Sequence, residues 1–404
     1  MATSPLTFLC VSCYFKGSDF LTACKEAGNT VYLVTEKSLE DEPWPRDHID
    51  DVFYLESDKY ENPMKQLIDG LSFVMRSRKI DRIVALDDFD VEKAAHLREY
   101  FRIPGMGEST SRFFRDKLAM RMKAKEAGIP VPEFTPIFND EEINQFADAV
   151  PGPWLIKPRS EASATGIRKV HDKQQLWDAI HELGDKRHQY LLEHFTPGDV
   201  YHVDSISYNG DQLFSRVSKY LDTPMEVAHA GGVFRTQTVE FGGYDDDTLQ
   251  KINSKLMKAF QMQSSASHSE FIKVHETGQF VFLETASRVG GAHIAELVEA
   301  SSYINLWKEW AKLETAIAKH EIYALPAVWQ QHAGLIISLT KQEHPDASGF
   351  QDPEVIWKMD KKYHIGMVLQ HPSQERVLEL MESYTQRIFE DFHTSAPLPD
   401  KPSA

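Results

Sequence analysis

Short apolar runs alternate with amphipathic segments along the first hundred residues of the chain. The runs with the length and composition of buried strands are LTFLCV, TVYLVT, DDVFYLE and DRIVALD. Between them, GSDFLTACKEAGN and NPMKQLIDGLSFVMRSR carry apolar residues at helical spacing. Strands that alternate with helices are typical of a parallel sheet flanked by helices. We therefore predict a parallel α/β domain over residues 1–107.

The pattern changes after residue 107. A basic helix that ends at Gly128 is predicted in the segment STSRFFRDKLAMRMKAKEAGIPVPEF. The two prolines that follow hold the backbone in an extended conformation. Strand signals follow in WLIKPRSEASATGIRKV, QYLLEHF and VYHVDSISYNGDQLFSRVSKY, where Asn209-Gly210 predicts a hairpin turn. HIAELVEASSYINLWKEWAKLETAIAKH is predicted to be helical. From Tyr323 onward the chain alternates again, with strands AGLIISLT and YHIGMVLQH and helix SQERVLELMESYTQRIFEDF.

One predicted hairpin, HSEFIKVHETGQFVFLETASRVGG, sets two acidic residues face to face. We fold it about a three-residue loop, 276–278, in which Gly278 takes the left-handed conformation. Glu270 then lies opposite Glu284, with Cβ atoms roughly 5 Å apart, where like charges are destabilising. The other predicted cross-strand pairs are Val274 with Phe280, Ile272 with Phe282 and Phe271 with Leu283.

Both faces of this hairpin are apolar, which predicts that it is buried. Two facing carboxylates are costly there unless a cation lies between them. Either the register is wrong by one residue, or both glutamates splay outward, or Glu270 and Glu284 bind a hard divalent cation, Mg²⁺ or Mn²⁺. No thiolate or histidine cluster competes, so zinc is a poor candidate. We favour the Mg²⁺ or Mn²⁺ site, completed by substrate phosphates.

Residues that follow the hairpin are candidates for anion binding. Arg288 continues the period-two pattern of Glu284, so its guanidinium can hold a phosphoryl or carboxylate oxygen, or it neutralises a nearby acid. Gly290-Gly291 lets the backbone approach a ligand closely, just before the start of a helix. His268 is expected to be packed or to support a ligand-binding residue rather than to bind.

Upstream candidates lie on a strand end and a small flexible loop. Lys157 follows the apolar WLI run, where an ammonium can meet a phosphate or remain a solvated surface group. Ser163, Thr165 and Gly166 form a donor-rich loop that closes over phosphates or is an ordinary hairpin tip. The sequence leaves open whether Lys219, Arg235 and the run 229–234 contact phosphate or substrate. Asp87, Asp88 and Asp90 recognise an amine or cap the next helix, and capping is favoured.

Composition narrows the classes of function. A length of 404 residues predicts two or three domains, and a formal net charge of −17 argues against a nucleic-acid partner. No apolar segment approaches the roughly 20 residues of a membrane span, and no basic leader is visible. The three cysteines imply no disulfide framework, and Cys10 and Cys13 read as packing residues. We expect a cytoplasmic enzyme without a membrane partner.

Taken together, these motifs resemble the ATP-grasp superfamily. ETASRVGG is similar to that family's E-x-N-x-R-x-G-G signature, and further matches follow in the family's order over residues 108–310. They are DKLAMRMKAKEAGIPVP, WLIKPRSEASATGIRKV, YLLEHFTPGDVYHVDSI and SHSEF. The resemblance implies an N-terminal parallel-sheet domain (1–107), a two-lobed ATP-grasp domain (108–320) and a C-terminal α/β lid or extension (321–404).

The resemblance also implies roles for individual residues. It places Lys117 and Lys157 at ATP phosphates, Glu193 and Phe195 around adenine, and Glu270 and Glu284 on magnesium. One position departs from the family. Ala286 stands where the family has asparagine, so the usual third protein ligand is missing. A second metal is therefore weakly held, completed by water, or absent.

The implied activity is an ATP-dependent ligase. A carboxylate attacks the γ-phosphate to give an acylphosphate and ADP, and an amine then displaces phosphate. Two alternatives stay open: a bicarbonate-dependent carboxylase or phosphoryl transferase, and a non-catalytic Mg-ATP-binding regulatory protein, which Ala286 makes worth considering. The expected partners are ATP and small-molecule carboxylate and amine substrates, and the sequence leaves a homodimer open.

Overall fold

The computed structural model describes residues 5–59, 62–161, 165–225, 227 and 231–395. Its N-terminal part is a four-stranded parallel sheet in the order β3-β2-β1-β4. The strands are β1 (Thr7–Val11), β2 (Thr30–Glu36), β3 (Asp51–Leu55) and β4 (Arg82–Ala85), and the helices are α1 (Ser18–Glu26), α2 (Pro63–Val74) and α3 (Val91–Phe101). The predicted parallel α/β arrangement is confirmed.

The basic segment that follows is two helices rather than the predicted single one. They are α4 (Glu108–Ser111) and α5 (Lys117–Glu126). Asp116 causes the break, because its side chain accepts hydrogen bonds from the backbone N–H groups of Leu118 and Ala119 at 3.0 and 3.4 Å. Such an N-cap starts a new helix at the next residue. The cap therefore places Lys117 in the first turn of α5.

A small antiparallel sheet comes next, in the order β5-β8-β6-β7. Its strands are β5 (Phe134–Pro136), β6 (Trp154–Pro158), β7 (Arg168–Val170) and β8 (Tyr190–His194), with helices α6 (Asp140–Ala149) and α7 (Lys173–Leu183). Apolar side chains of the helices and the sheet form one cluster, which includes Ile143, Ile156 and Ile180. This separate small core makes the sheet a distinct lobe.

The largest sheet has eight antiparallel strands in the order β13-β12-β9-β10-β11-β14-β16-β15. The strands are β9 (Gly198–Tyr208), β10 (Asp211–Tyr220), β11 (Phe234–Thr238), β12 (Ser265–Val274), β13 (Phe280–Ala286), β14 (His332–Leu339), β15 (Val355–Lys358) and β16 (His364–His371). The helices are α8 (Tyr244–Ala259), α9 (Ile294–Ser302), α10 (Leu306–Lys319) and α11 (Gln374–Asp391). Strands from beyond residue 320 extend this sheet, so the predicted boundary there does not separate two sheets.

The prediction is confirmed at one turn of the large sheet and is wrong for the helical segment that follows the acidic hairpin. The predicted Asn209-Gly210 turn is confirmed, with φ values of +52° and +83°. The helical segment after the acidic hairpin is broken, since Tyr303 is left-handed and Asn305 caps α10 by accepting from the Lys308 N–H at 3.1 Å. Among the described residues, none of the helices has the length and apolarity needed to cross a bilayer.

The acidic hairpin differs from the prediction near its turn. Its loop has four residues, 275–278, because the Val274 N–H donates to the Gln279 carbonyl at 2.9 Å, although Gly278 is left-handed as expected. The predicted apolar pairs are therefore wrong; the observed ones are Phe271 with Phe282, Ile272 with Val281 and Lys273 with Phe280. A bulge at Leu283 then shifts the register by one residue. This second shift cancels the first, so Glu270 lies opposite Glu284 as predicted.

Close contact between β9 and β12 generates a prediction for stability. A Cβ added at Gly198 would lie under 3.0 Å from both Ile272 and the Lys273 backbone. We expect Gly198→Ala to lower the free energy of unfolding by about 1–3 kcal/mol, measured by urea denaturation. Gly70→Ala is the control, because its Cβ would meet nothing within 4 Å in the middle of α2. The free energy of unfolding of that variant should rise by about 0.5–1 kcal/mol. If Gly198→Ala unfolded with the free energy of the wild type, the result would contradict the close approach of the two strands.

Candidate active site

A cavity of about 550 Å³ lies where the small lobe, the large sheet and the N-terminal domain meet. Nine of the residues predicted from the sequence line it: Lys117, Lys157, Thr165, Glu193, Phe195, Glu270, Glu284, Arg288 and Gly291. They come from α5, β6, β8, β12, β13 and the segments next to them, which are far apart in the chain. The tertiary structure thus brings together most of the candidates that the sequence offers singly.

Most of the other candidates lie outside the cavity lining. Lys219 does not line the cavity, and its ammonium bonds Asp199 at 2.6 Å. Its strand neighbour Tyr220 does line the cavity, and successive strand residues point to opposite faces. Arg235 bonds Asp222 instead. Gly166 and Gly290 are also outside the lining, Phe234 is within it, and Ser163, His229 and Ala230 lie outside the described residues.

The two facing glutamates have different surroundings. Glu270 is 8% exposed and accepts a hydrogen bond from the Tyr220 hydroxyl at 2.8 Å. Glu284 is about a third exposed, and one of its oxygens lies 2.7 Å from the Lys117 ammonium. Burial alone would raise the pKa of Glu270, but His268 and Tyr220 hold that pKa below its usual range. Glu270 is therefore an anion facing the cavity, and this pair of oxygen donors fits Mg²⁺ or Mn²⁺.

Behind these residues lies a buried group of three charges. Glu193 bonds the Lys157 ammonium through Oε1 at 2.5 Å and the Arg121 guanidinium through Oε2 at 2.7 Å. Burial would raise the pKa of Glu193, but Arg121 and Lys157 together lower it. Arg121 also donates to the Leu283 carbonyl, which ties α5 to the bulged strand. Both oxygens of Glu193 are thus engaged with cations, and its side chain positions Lys157.

Sequence reasoning missed Arg121, although a signal was present. Arg121 lies four residues after Lys117 on α5, and residues at this spacing share one face of a helix. Both side chains line the cavity. Arg115 and Tyr220 also line it and were not predicted, since no spacing connects them to the other site residues.

Arg288 meets the N-terminal domain at the cavity. Its guanidinium forms an ion pair with Asp88, and its Nη1 donates to the Val289 carbonyl at 2.8 Å. Asp88 raises the pKa of Arg288 despite burial, and Arg288 lowers that of Asp88. The sequence left open whether Arg288 binds a ligand or neutralises an acid; here it pairs with an acid that itself lines the cavity.

The three aspartates after β4 have three different roles. Asp87 caps the next turn by accepting from the Phe89 N–H at 3.1 Å, so the favoured capping role is confirmed for this residue. Asp90 instead accepts from the Cys13 N–H at 2.7 Å. Asp88 faces the cavity. The three aspartates differ in role because their side chains point from the turn in different directions, which only the fold determines.

A buried chain of polar groups runs behind Glu270. Asp204 accepts from the Nδ1 atoms of His202 and His268, at 2.6 and 2.8 Å. The second ring nitrogen of His202 bonds the Thr236 hydroxyl at 2.7 Å, while Nε2 of His268 lies 3.5 Å from Oε1 of Glu270. His268 lines the cavity. It lies beside Glu270 and faces the same space, and the supporting role expected of it stays a prediction.

Comparison with known proteins shows which proteins this chain resembles. No protein-family model matches the chain. An L-arginine-specific L-amino acid ligase from Bacillus subtilis is 25% identical over 244 residues, 58% of each chain. A D-alanine–D-alanine ligase from Neisseria gonorrhoeae is 29% identical over 97 residues, 24% of this chain and 32% of the relative. The chain thus matches less than two thirds of the length of these curated relatives.

Solved structures extend the likeness over nearly the whole chain. The L-amino acid ligase from Bacillus licheniformis superimposes with a TM-score of 0.73 at 17% identity, covering 97% of this chain and 99% of the other. Phosphoribosylglycinamide synthetase from Anaerococcus prevotii does so with 0.67 at 15% identity, covering 96% and 99%. The fold is the ATP-grasp fold, and the resemblance to ATP-grasp ligases drawn from the sequence is confirmed.

The buried charge group generates a prediction. Glu193→Gln leaves Lys157 and Arg121 buried together without an anion. We expect a loss of about 3–5 kcal/mol in the free energy of unfolding at pH 7. Because the folded-state pKa of Glu193 is lowered, its contribution is present above the ordinary value of about 4.3 and is lost as the pH falls below it. Urea denaturation at several pH values measures both effects.

The matched control is Glu133→Gln, which removes an exposed carboxylate that lies 3.3 Å from Lys125. Exposed ion pairs contribute little, so this variant should unfold like the wild type across the same pH range. Equal stabilities for the two variants would contradict the role given to Glu193.

Proposed function

We propose that this chain is an ATP-dependent ligase that activates a carboxylate as an acylphosphate and couples it to an amine. The observation that carries the proposal is the meeting of Glu270 and Glu284 with Lys117, Lys157 and Arg288 in one cavity. The curated relatives described above are named as ligases. Biotin carboxylases resemble the chain at 16% identity, where likeness concerns the fold alone, so carboxylation has no specific support.

ATP is proposed to lie between the small lobe and the large sheet. The cavity wall there is apolar, with Leu155, Phe195, Val200 and Leu283, which suits a purine ring. The Lys169 ammonium lies 3.4 Å from the centre of the Phe195 ring and adds positive charge at this end. The loop that contains Thr165 is proposed to close over the phosphates.

The reaction needs charge neutralisation and alignment more than a protein nucleophile. A divalent cation held by Glu270 and Glu284 would supply neutralising charge for the phosphates. Lys117 and Lys157 are proposed to neutralise phosphoryl oxygens, and Arg288 to hold the group in transfer. A carboxylate oxygen bonds to the γ-phosphorus as the bond to ADP breaks. The nitrogen of the neutral amine then bonds to the acyl carbon, the C–O bond to phosphate breaks, and the nitrogen loses one proton to the departing phosphate or to solvent.

Both substrates are proposed to be amino acids or related compounds. Arg288 and Asp88 together present a cation and an anion, which complement the carboxylate and the ammonium of an amino acid. Asp88 bonds Arg288 through Oδ2, and its Oδ1 accepts no hydrogen bond from the described part of the chain. The names of the two curated relatives support the same substrate class.

A cytoplasmic location also remains a proposal. Cys10, Cys13 and Cys24 are all free and buried, which suits a reducing compartment. Homodimer formation stays a prediction from the sequence.

The ligase proposal predicts that ADP release requires two substrates. In a screen of carboxylates crossed with amines, the purified protein should release ADP with certain acid–amine pairs and form a new amide, detected by mass spectrometry. Glu284→Gln should lower this rate by about a hundredfold or more, because it removes an electrostatic contact to the reacting phosphates. Rapid ADP release whose rate does not change when any acid or amine is added would count against the proposal.

The control is Glu276→Gln, which makes the same chemical change in the exposed loop of the same hairpin. Its activity should equal that of the wild type. A similar loss in both variants would point to a general effect of charge rather than to the site.

The amino-acid proposal predicts a selective effect of Asp88→Asn. The variant should raise KM for amino-acid substrates by about 10–100-fold, since a hydrogen bond to a charged group contributes roughly 1.5–3 kcal/mol. Binding of Mg-ATP, measured by calorimetry, should change little. Asp87→Asn is the control from the same turn, because Asp87 bonds Lys16 outside the cavity. Equal KM effects in both variants would argue against amine recognition by Asp88.

A further inference from the structure

Four residues form a square on one face of the strand pair β12–β13. Glu270 lies directly opposite Glu284, and His268 lies directly opposite Ala286. All four line the cavity. Two corners carry the proposed metal ligands, a third carries an imidazole, and the fourth carries only a methyl group. The methyl group leaves room beside the imidazole at the position where the sequence signature lacks its asparagine.

The imidazole of His268 is held with one nitrogen towards this space. Its Nδ1 bonds Asp204 at 2.8 Å, and Asp204 is completely buried. A carboxylate that holds one ring nitrogen while the other faces an ion is the usual arrangement of a metal-binding histidine. A Cβ at Gly290 would lie 2.9 Å from Asp204 and 3.0 Å from His268, so the glycine lets the next loop pack over this pair.

The other members of the buried chain are not available as ligands. His202 uses both ring nitrogens, on Asp204 and on Thr236. Asp204 uses one oxygen for each histidine. His202, Asp204 and His268 lie close enough together to suggest a metal cluster, but their separations of 2.6 and 2.8 Å are hydrogen bonds and leave no space for an ion. Nε2 of His268 is the one ring nitrogen of this group that faces Glu270.

The distance between His268 and Glu270 also fits a shared ion. Nε2 of His268 lies 3.5 Å from Oε1 of Glu270. That is longer than the ordinary N–H···O range of about 2.7–3.2 Å. Two ligands at right angles, each roughly 2.1 Å from one ion, lie about 3 Å apart. A shift of a few tenths of an ångström would therefore bring both atoms into one coordination sphere.

We infer that Nε2 of His268 is a direct ligand of the divalent cation held by Glu270, in place of the amide missing at Ala286. This inference rests on the metal site of the proposed function and names its third protein ligand. An imidazole nitrogen suits Mn²⁺ better than Mg²⁺, which prefers oxygen. The site should therefore favour Mn²⁺ more strongly than a site made of oxygen ligands alone.

The cation is expected at Nε2 of His268, on the side of the ring that faces Glu270, while Nδ1 keeps its bond to Asp204. The bond to Asp204 thus keeps the ring in the same orientation with and without the ion.

Pulsed electron paramagnetic resonance of the full chain with Mn²⁺ and ADP tests the inference directly. We expect modulation from a directly bound ¹⁴N nucleus, replaced by ¹⁵N modulation when only the histidines are ¹⁵N-labelled. This labelling needs no substitution, so the result does not depend on the folding of a variant. Bound Mn²⁺ without a histidine nitrogen would overturn the inference and leave the proposed function intact. Absence of bound Mn²⁺ would overturn the proposed metal site and this inference together.

A variant series identifies the histidine. His268→Asn should lose the nitrogen signal and raise the dissociation constant of Mn²⁺ by roughly tenfold or more, with a smaller change for Mg²⁺. His275→Asn is the matched control, since His275 lies in the hairpin loop at the end of β12 and also lines the cavity. It should keep the nitrogen signal. A signal that persists in His268→Asn would assign the nitrogen elsewhere and overturn the inference.

Discussion

Glu270 and Glu284 lie opposite each other in a strand pair, where opposed Cβ atoms are roughly 5 Å apart and like charges repel each other. Much of the surrounding structure offsets that repulsion. Lys117 reaches one carboxylate from the first turn of α5, while Tyr220 and His268 support the other from the large sheet. Each partner comes from a different element, so the acidic pair depends on the packing of α5 against the sheet.

The same need to offset buried charge accounts for the ionic groups that lie behind the acidic pair. Arg121 and Lys157 share Glu193 next to one part of the cavity, and Asp204 anchors His268 next to another. Buried ions are tolerated when oppositely charged partners offset their burial, and these groups supply such partners in pairs and triads, although Nη2 of Arg121 has no hydrogen-bond partner among the described residues. The site proposed to receive several phosphate charges is thereby held in shape by the protein's own ions.

The hairpin shows how a correct prediction can rest on a wrong detail. No residue pattern distinguishes a three-residue loop from a four-residue loop here, since Gly278 takes the left-handed conformation in either case. Nor does any pattern reveal the bulge at Leu283. Arg121 donates to the Leu283 carbonyl, so a contact from a distant helix accompanies the irregular strand. The two errors cancel at the acidic pair, where the tertiary structure restores the predicted register.

Local patterns in the sequence determined the strands and several helices, the turn at Asn209-Gly210 and the motifs that carry the family resemblance. All of these depend on residues near one another in the chain, whose spacing sets which face they share. Only the tertiary structure decided that Asp88 meets Arg288, that Lys219 faces away from the cavity, and that His268 faces Glu270. Those outcomes depend on which surfaces pack together across many residues, and no local spacing encodes that choice.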